Sequence, residues 1–187
     1  MATTNFVVNN FALTSTTISP SMTVAGSVTT VSYDLLITCP LNTTATLVIQ
    51  FERSSDGGTT WTTFDDATLV GGPIIKGTNA GQQATNEVSG EIDNLNDGDE
   101  LRIVGTPSAP TTATSTFANH ATTITVANAS GIAQGQQVSG AGIANGTTVS
   151  SVSGTAVTLS AQTNHAETST SVTFTDVWTI TASITQS

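Results

Sequence analysis

The chain has 187 residues, 37% hydrophobic and only 9% charged, and Lys+Arg 3 against Asp+Glu 13 gives a formal net charge of -10. No apolar run approaches the roughly 20 residues that a membrane-crossing helix needs. Phosphate binding needs clustered cations, whereas Arg53, Lys76 and Arg102 stand far apart, so neither membrane nor nucleic acid is an expected partner and a basic protein surface suits the charge better.

Abundant threonine, with valine and isoleucine, supplies β-branched side chains that fit a pleated surface and lose rotamer freedom in a helix. Met1-Ala2-Thr3-Thr4-Asn5 offers no basic leader segment and no continuous apolar stretch follows, so synthesis in the cytosol is expected. The first clear strand signal is the alternation Val31, Tyr33, Leu35, Ile37. Cys39, the single cysteine, follows before Pro40; with no base near it in sequence it reads as packing and not as a nucleophile.

Leu47, Ile49 and Phe51 predict the next strand, and Ser54-Ser55-Asp56-Gly57-Gly58-Thr59-Thr60-Trp61 follows it. Ser54, Asp56, Gly58, Thr60 and Trp61 resemble the Asp-box of sialidases. That resemblance implies a structural hairpin whose aspartate caps its own turn while the tryptophan packs beneath. Three basic residues in all cannot assemble an arginine cluster for a substrate carboxylate, so the hairpin is read as structural, with glycan binding as the lesser alternative.

From Glu91 to Glu100 the carboxylates of Glu91, Asp93, Asp97, Asp99 and Glu100 crowd together. Leu95 occupies what would be a ligand position of an EF-hand loop, so Asn96-Asp97-Gly98 is read as a solvated turn into the strand Leu101, Ile103. No metal site and no cofactor is expected.

Every basic residue lies at or before Arg102, and after Gly105 only Glu167 and Asp176 are charged. That shift, with the proline-bearing stretch 106–112, predicts a linker and a domain boundary. Residues 1–111 and 177–187 are expected to form one antiparallel sandwich of jelly-roll or immunoglobulin-like type, with 112–176 inserted as a small β domain. The closing strand Trp178, Ile180, Ala182, Ile184 is expected to pair beside Leu101 to Val104.

Inside the insert, Gly131-Ile132-Ala133-Gln134-Gly135-Gln136-Gln137-Val138-Ser139 is echoed by Gly142-Ile143-Ala144-Asn145-Gly146-Thr147-Thr148-Val149-Ser150. Two turn-and-strand units are implied, with strands at 122–127, 148–152, 156–160 and 171–175 and a turn at Ser153-Gly154-Thr155. His120 and His165 lie near opposite ends of the insert; two histidines make a poor zinc site, because zinc wants about four ligands, and both are read as surface or turn residues.

The stretch from Ile124 to Phe174, "SGIAQGQQVSGAGIANGTTVSSVSGTAVTLS" at its heart, resembles a β module that recurs in structural and fibre proteins of tailed phages and in some bacterial surface proteins. The resemblance implies a spacer or surface decoration and no reaction. The expected function is thus a non-enzymatic virion structural protein, assembled in the host cytoplasm. A capsid decoration or cement protein that binds and stabilises the head shell is preferred; a tail-fibre or appendage component with receptor or glycan binding is the alternative. A depolymerase lacks an acid/base pair, and a bacterial adhesin lacks a visible anchor. Expected partners are the major capsid protein or other virion proteins and further copies of the chain. A closed ring, with a trimer as the expected form, would cover strand edges that carry no Lys or Arg.

Overall fold

The computed structural model describes residues 4–13, 16–26, 28–38, 40–42, 44–63, 74–76 and 85–186. These residues form strands and turns, with no helix among them. The strands are β1 (Thr4–Leu13), β2 (Thr17–Ile18), β3 (Met22–Thr23), β4 (Val31–Thr38), β5 (Thr46–Ser54), β6 (Thr62–Thr63), β7 (Ile74–Lys76), β8 (Thr85–Ile92) and β9 (Glu100–Pro107). The chain continues through β10 (Thr111–Phe117), β11 (Thr123–Val126), β12 (Gln137–Gly140), β13 (Val149–Ser153), β14 (Ala156–Leu159), β15 (Glu167–Thr175) and β16 (Trp178–Gln186).

Two antiparallel sheets make the first body. One has the order β1-β16-β4-β8; the other has β2-β9-β5-β6, with β3 added to β9 and β7 to β5. Alternation decides which side chains meet between them: Val31, Tyr33, Leu35 and Ile37 of β4, Trp178, Ile180, Ala182 and Ile184 of β16, Leu47, Ile49 and Phe51 of β5, and Leu101 and Ile103 of β9 are all buried in one cluster. The result is an all-β antiparallel sandwich.

Within it, Tyr33 and Phe51 meet across the sheets with ring centroids 4.7 Å apart. Tyr33 pairs in register with Gly90 of β8, and a Cβ at Gly90 would lie 2.5 Å from the tyrosine oxygen. The missing side chain is what lets the ring lie over its neighbour strand.

The structure departs from two sequence expectations. The closing strand β16 pairs β1 and β4, not Leu101 to Val104, which belong to β9 in the facing sheet. Alternation fixes the buried face of a strand but not its neighbour. The expected linker at 106–112 is shorter, because Thr106 and Pro107 still pair with β5 and Thr111 already pairs with β15.

Strands β10 to β15 pair only among themselves among the described residues, in the order β12-β15-β10-β11-β14-β13, around their own core of Ile124, Val126, Val138, Val149, Val157, Leu159, Val172 and Phe174. The ends of this sheet meet. Gln137 and Thr148 form an antiparallel bridge, Val138 N donates to Thr147 O and Val149 N to Gln136 O, both at 2.9 Å, so the sheet closes into a small barrel. Closure within the chain thus covers edges that were expected to need neighbouring copies.

The closure follows the sequence repeat. Gln137 and Thr148 occupy equivalent positions in the two units, as do Val138 and Val149, and Gln136 and Thr147. Each unit therefore bonds to its equivalent across a local two-fold axis.

Candidate functional site

Two polar assemblies stand out, one at a hairpin of the sandwich and one where the two bodies meet. At the hairpin, Ser54 ends β5 and Asp56 enters the turn. Ser54 Oγ donates to Asp56 Oδ1 at 2.7 Å and accepts the backbone N–H of Gly58 at 2.8 Å. The same Oδ1 accepts the backbone N–H groups of Thr59 at 3.1 Å and Thr60 at 2.8 Å, while Thr60 Oγ1 donates to Oδ2 at 2.6 Å. These donors, the Thr60 hydroxyl foremost, hold the Asp56 carboxyl down from 3.8 to about 2.

Trp61 closes the turn by donating its Nε1–H to Gly58 O at 3.0 Å. Arg102 lies over the tryptophan ring, 3.9 Å from its centroid, while its Nε donates to Glu52 Oε2 at 2.7 Å. The structure therefore brings Ser54, Asp56, Gly58, Thr60 and Trp61 together in one turn, and the guanidinium occupies a ring face on which a sugar would stack.

The acidic stretch is drawn into the fold in pieces. Asp99, 2% exposed, accepts Asn96 N at 2.7 Å and pairs with Arg53 at 3.2 Å. Asp97 Oδ1 accepts Gly26 N at 2.8 Å and Asp93 Oδ1 accepts the Thr30 hydroxyl at 2.6 Å. Leu95 is buried. The carboxylates thus pull the loop onto three separate parts of the sandwich, and among the described residues no three His, Cys, Asp or Glu side chains gather as metal ligands.

His120 sits at a turn with φ of 57° and donates its backbone N–H to Thr163 O at 3.1 Å. His165 faces Glu167, with Nε2 2.9 Å from Oε1. Cys39 lies outside the described residues.

Sequence reasoning did not single out the second assembly. Asp176, 7% exposed, stands where the chain returns to the sandwich. Its Oδ2 accepts Asn42 Nδ2 of the sandwich at 2.9 Å and its Oδ1 accepts Gln136 Nε2 of the insert at 3.1 Å. Gln136 Nε2 also donates to Gly131 O at 2.9 Å, and Asn42 Nδ2 approaches the same oxygen at 3.3 Å.

Burial raises the Asp176 carboxyl above 3.8, against the lowering effect of its two amide donors. Ser108, just past β9, extends the β9–β5 ladder: its N–H donates to Thr46 O at 2.7 Å and its Oγ accepts Thr46 N at 3.1 Å. A carboxylate and two carboxamides so clasp the two bodies together. One signal for it was present in the sequence, since Asp176 is one of only two charges after Gly105.

No protein-family model matches the chain, and no curated protein does. Among solved structures it is similar to a chain in the structure of infectious bursal disease virus Gx strain, at 12% identity and a TM-score of 0.31, over 99% of this chain and 40% of that one. It is also similar to PBSX exported protein XepA, at 12% identity and a TM-score of 0.31, over 98% of this chain and 86% of that one. The chain spans less than half the length of the first of these. At such TM-scores neither likeness bears on function.

Proposed function

We propose that this chain is a non-enzymatic structural protein of a tailed-phage virion. In this reading it is a head decoration or cement protein that docks on the capsid shell through its sandwich and carries the insert outward. The observation that carries the reading is where the polar chemistry is spent. Asp56, Asp93, Asp97, Asp99 and Asp176 each hold a turn, a loop or the junction between two separately cored β bodies, which is the economy of a scaffold.

Charge distribution supports the docking side. Asp34, Glu87 and Glu91 project exposed from the sheet β1-β16-β4-β8, whose strands contain no Lys or Arg, while Arg53 and Arg102 belong to the facing sheet. An outer face of one sign fits a basic shell surface, such as one on the major capsid protein, and steers the encounter. Homo-oligomers, a trimer foremost, would repeat that face around an axis and cover the outer strands β1 and β8.

Cryo-electron microscopy of the particle, together with binding of purified protein to shells lacking it, tests the proposal. The expected result is density at fixed positions on the head and raised heat resistance of the decorated shell. Density confined to the tail, or turnover of a polysaccharide by the purified chain, would overturn it.

A further inference from the structure

The two repeat units of the insert differ at one chemically decisive place. Gln136 N donates to Ala133 O at 3.4 Å and Thr147 N to Ala144 O at 3.2 Å, so each unit turns on equivalent positions. Gln134-Gly135 is at the centre of one turn and Asn145-Gly146 at the centre of the other. Gly135 and Gly146 have φ of 87° and 79°, a conformation at the third turn position that favours glycine.

The turns differ in how their central groups are occupied. Gly135 N–H donates to Val149 O at 2.9 Å. Gly146 N–H and the Asn145 side chain have no partner within the protein among the described residues, and Gly146 is exposed. Asn145, Gly146, Thr147 and Thr175 border an open cavity of about 110 Å³, which admits water to the turn.

We infer that Asn145 is a site of spontaneous conversion to aspartate and isoaspartate. The Gly146 backbone nitrogen attacks Cγ of Asn145; it gives up its proton as the side-chain nitrogen leaves as ammonia, and a five-membered succinimide forms. Water then opens the ring at either carbonyl, so the chain gains a carboxylate in place of the amide. No oxidant or reductant enters the balance. Glycine places no Cβ in the path of ring closure, and Gln134 in the equivalent turn would have to close a larger ring.

Asn145 is the one asparagine of the sequence that glycine follows, and the two Asp-Gly pairs have their groups engaged. The carboxylate oxygens of Asp56, before Gly57, accept hydrogen bonds from Ser54, Thr59 and Thr60. Asp97 precedes Gly98, whose N–H donates to Val24 O at 3.0 Å. Asn119 and Asn164 each precede a histidine, and Asn128 an alanine.

The product reaches the barrel closure. Isoaspartate routes the main chain through the former side chain and adds a carbon between Ala144 and Thr147. Thr147 is 2% exposed, and its carbonyl accepts Val138 N in the bridge between the two units.

The test is incubation of the full chain in warm, mildly alkaline buffer, followed by peptide mapping with fragmentation that separates aspartate from isoaspartate. The expected result is ammonia loss confined to the peptide carrying Asn145, with the other asparagines and Gln134 intact, and its disappearance in N145Q, which copies the first unit. A loss of hydrogen-exchange protection at Val138 and Val149 should track the isoaspartate fraction. Retention of the Asn145 amide throughout, or an unchanged acidic drift in N145Q, would overturn the inference.

Discussion

Replacing Asp176 by alanine removes the centre of the clasp while leaving both cores untouched. Hydrogen bonds to a charged acceptor contribute roughly 1.5–3 kcal/mol each, and a buried donor left unmet costs roughly 1–3 kcal/mol. Two donors lose the carboxylate, but Gln136 Nε2 keeps Gly131 O at 2.9 Å and Asn42 Nδ2 keeps its longer approach to the same oxygen. The desolvation that raises the carboxyl is also relieved. The net loss should therefore fall at the low end, about 1–2 kcal/mol, or about 2–8 °C in midpoint for a chain of this size.

Differential scanning calorimetry at neutral pH measures it, and hydrogen exchange should show faster opening from Gly131 to Gln136. Asp176→Asn should lose less, because it retains one acceptor oxygen and carries no buried charge. The pH dependence has a fixed sign. A carboxyl raised in the folded state binds more protons there than in the unfolded chain, so its contribution is fullest below 3.8 and declines as pH rises through the raised value. That decline should be present in the native protein and absent from Asp176→Asn. An alanine variant as stable as the native chain, with unchanged exchange at Gly131 to Gln136, would refute the reasoning.

Asp56→Asn should show the opposite acid profile: the native chain loses stability as pH falls from 3.8 to about 2, whereas the variant starts with a lower thermal midpoint and lacks that step. Gly90→Val should drive Tyr33 off Phe51 and cost about 1–3 kcal/mol by urea denaturation, as overpacking does. Phe174→Ala, at a fully buried position of the insert, should cost about 3–5 kcal/mol. Because both tryptophans, Trp61 and Trp178, lie in the sandwich, circular dichroism should then report an early transition that tryptophan fluorescence does not. Deleting residues 112–176 and joining the ends with a short Gly/Ser link should leave a folded β protein by circular dichroism; an unfolded product would sink the two-body reading.

The strands that were legible in sequence are those whose inward positions are large and apolar. Val31 to Ile37, Leu47 to Phe51 and Trp178 to Ile184 each bury an uninterrupted alternate set. β1 was hidden by a bulge between Val8 and Phe11, which puts the alternation out of phase. β10 was hidden because Ala113 and Ser115 are among its inward residues; Ser115, 1% exposed, meets its burial by donating to Thr125 O at 3.1 Å, a compensation that no hydropathy pattern carries.

The hairpin motif could be read because its donors lie within a few residues of Asp56. The clasp could not. Asn42 and Asp176 are 134 positions apart, and Gln136 and Asp176 are 40 apart, so only the paired strands that carry them reveal the contact. The repeat announced two equivalent units, yet nothing local told that equivalent residues would bond to each other.

The insert joins the sandwich through β9 on one side and β16 on the other, and both are interior strands, β9 between β2 and β5, β16 between β1 and β4. A pull on the far end of the insert therefore divides between two sheets. Neither share can peel an outer strand away one hydrogen bond at a time, because each loaded strand is bonded along both sides. Extraction would have to shear both ladders while dragging Ile103 and Trp178 out of the common core. The attachment of the insert is thus braced by both sheets of the sandwich at once.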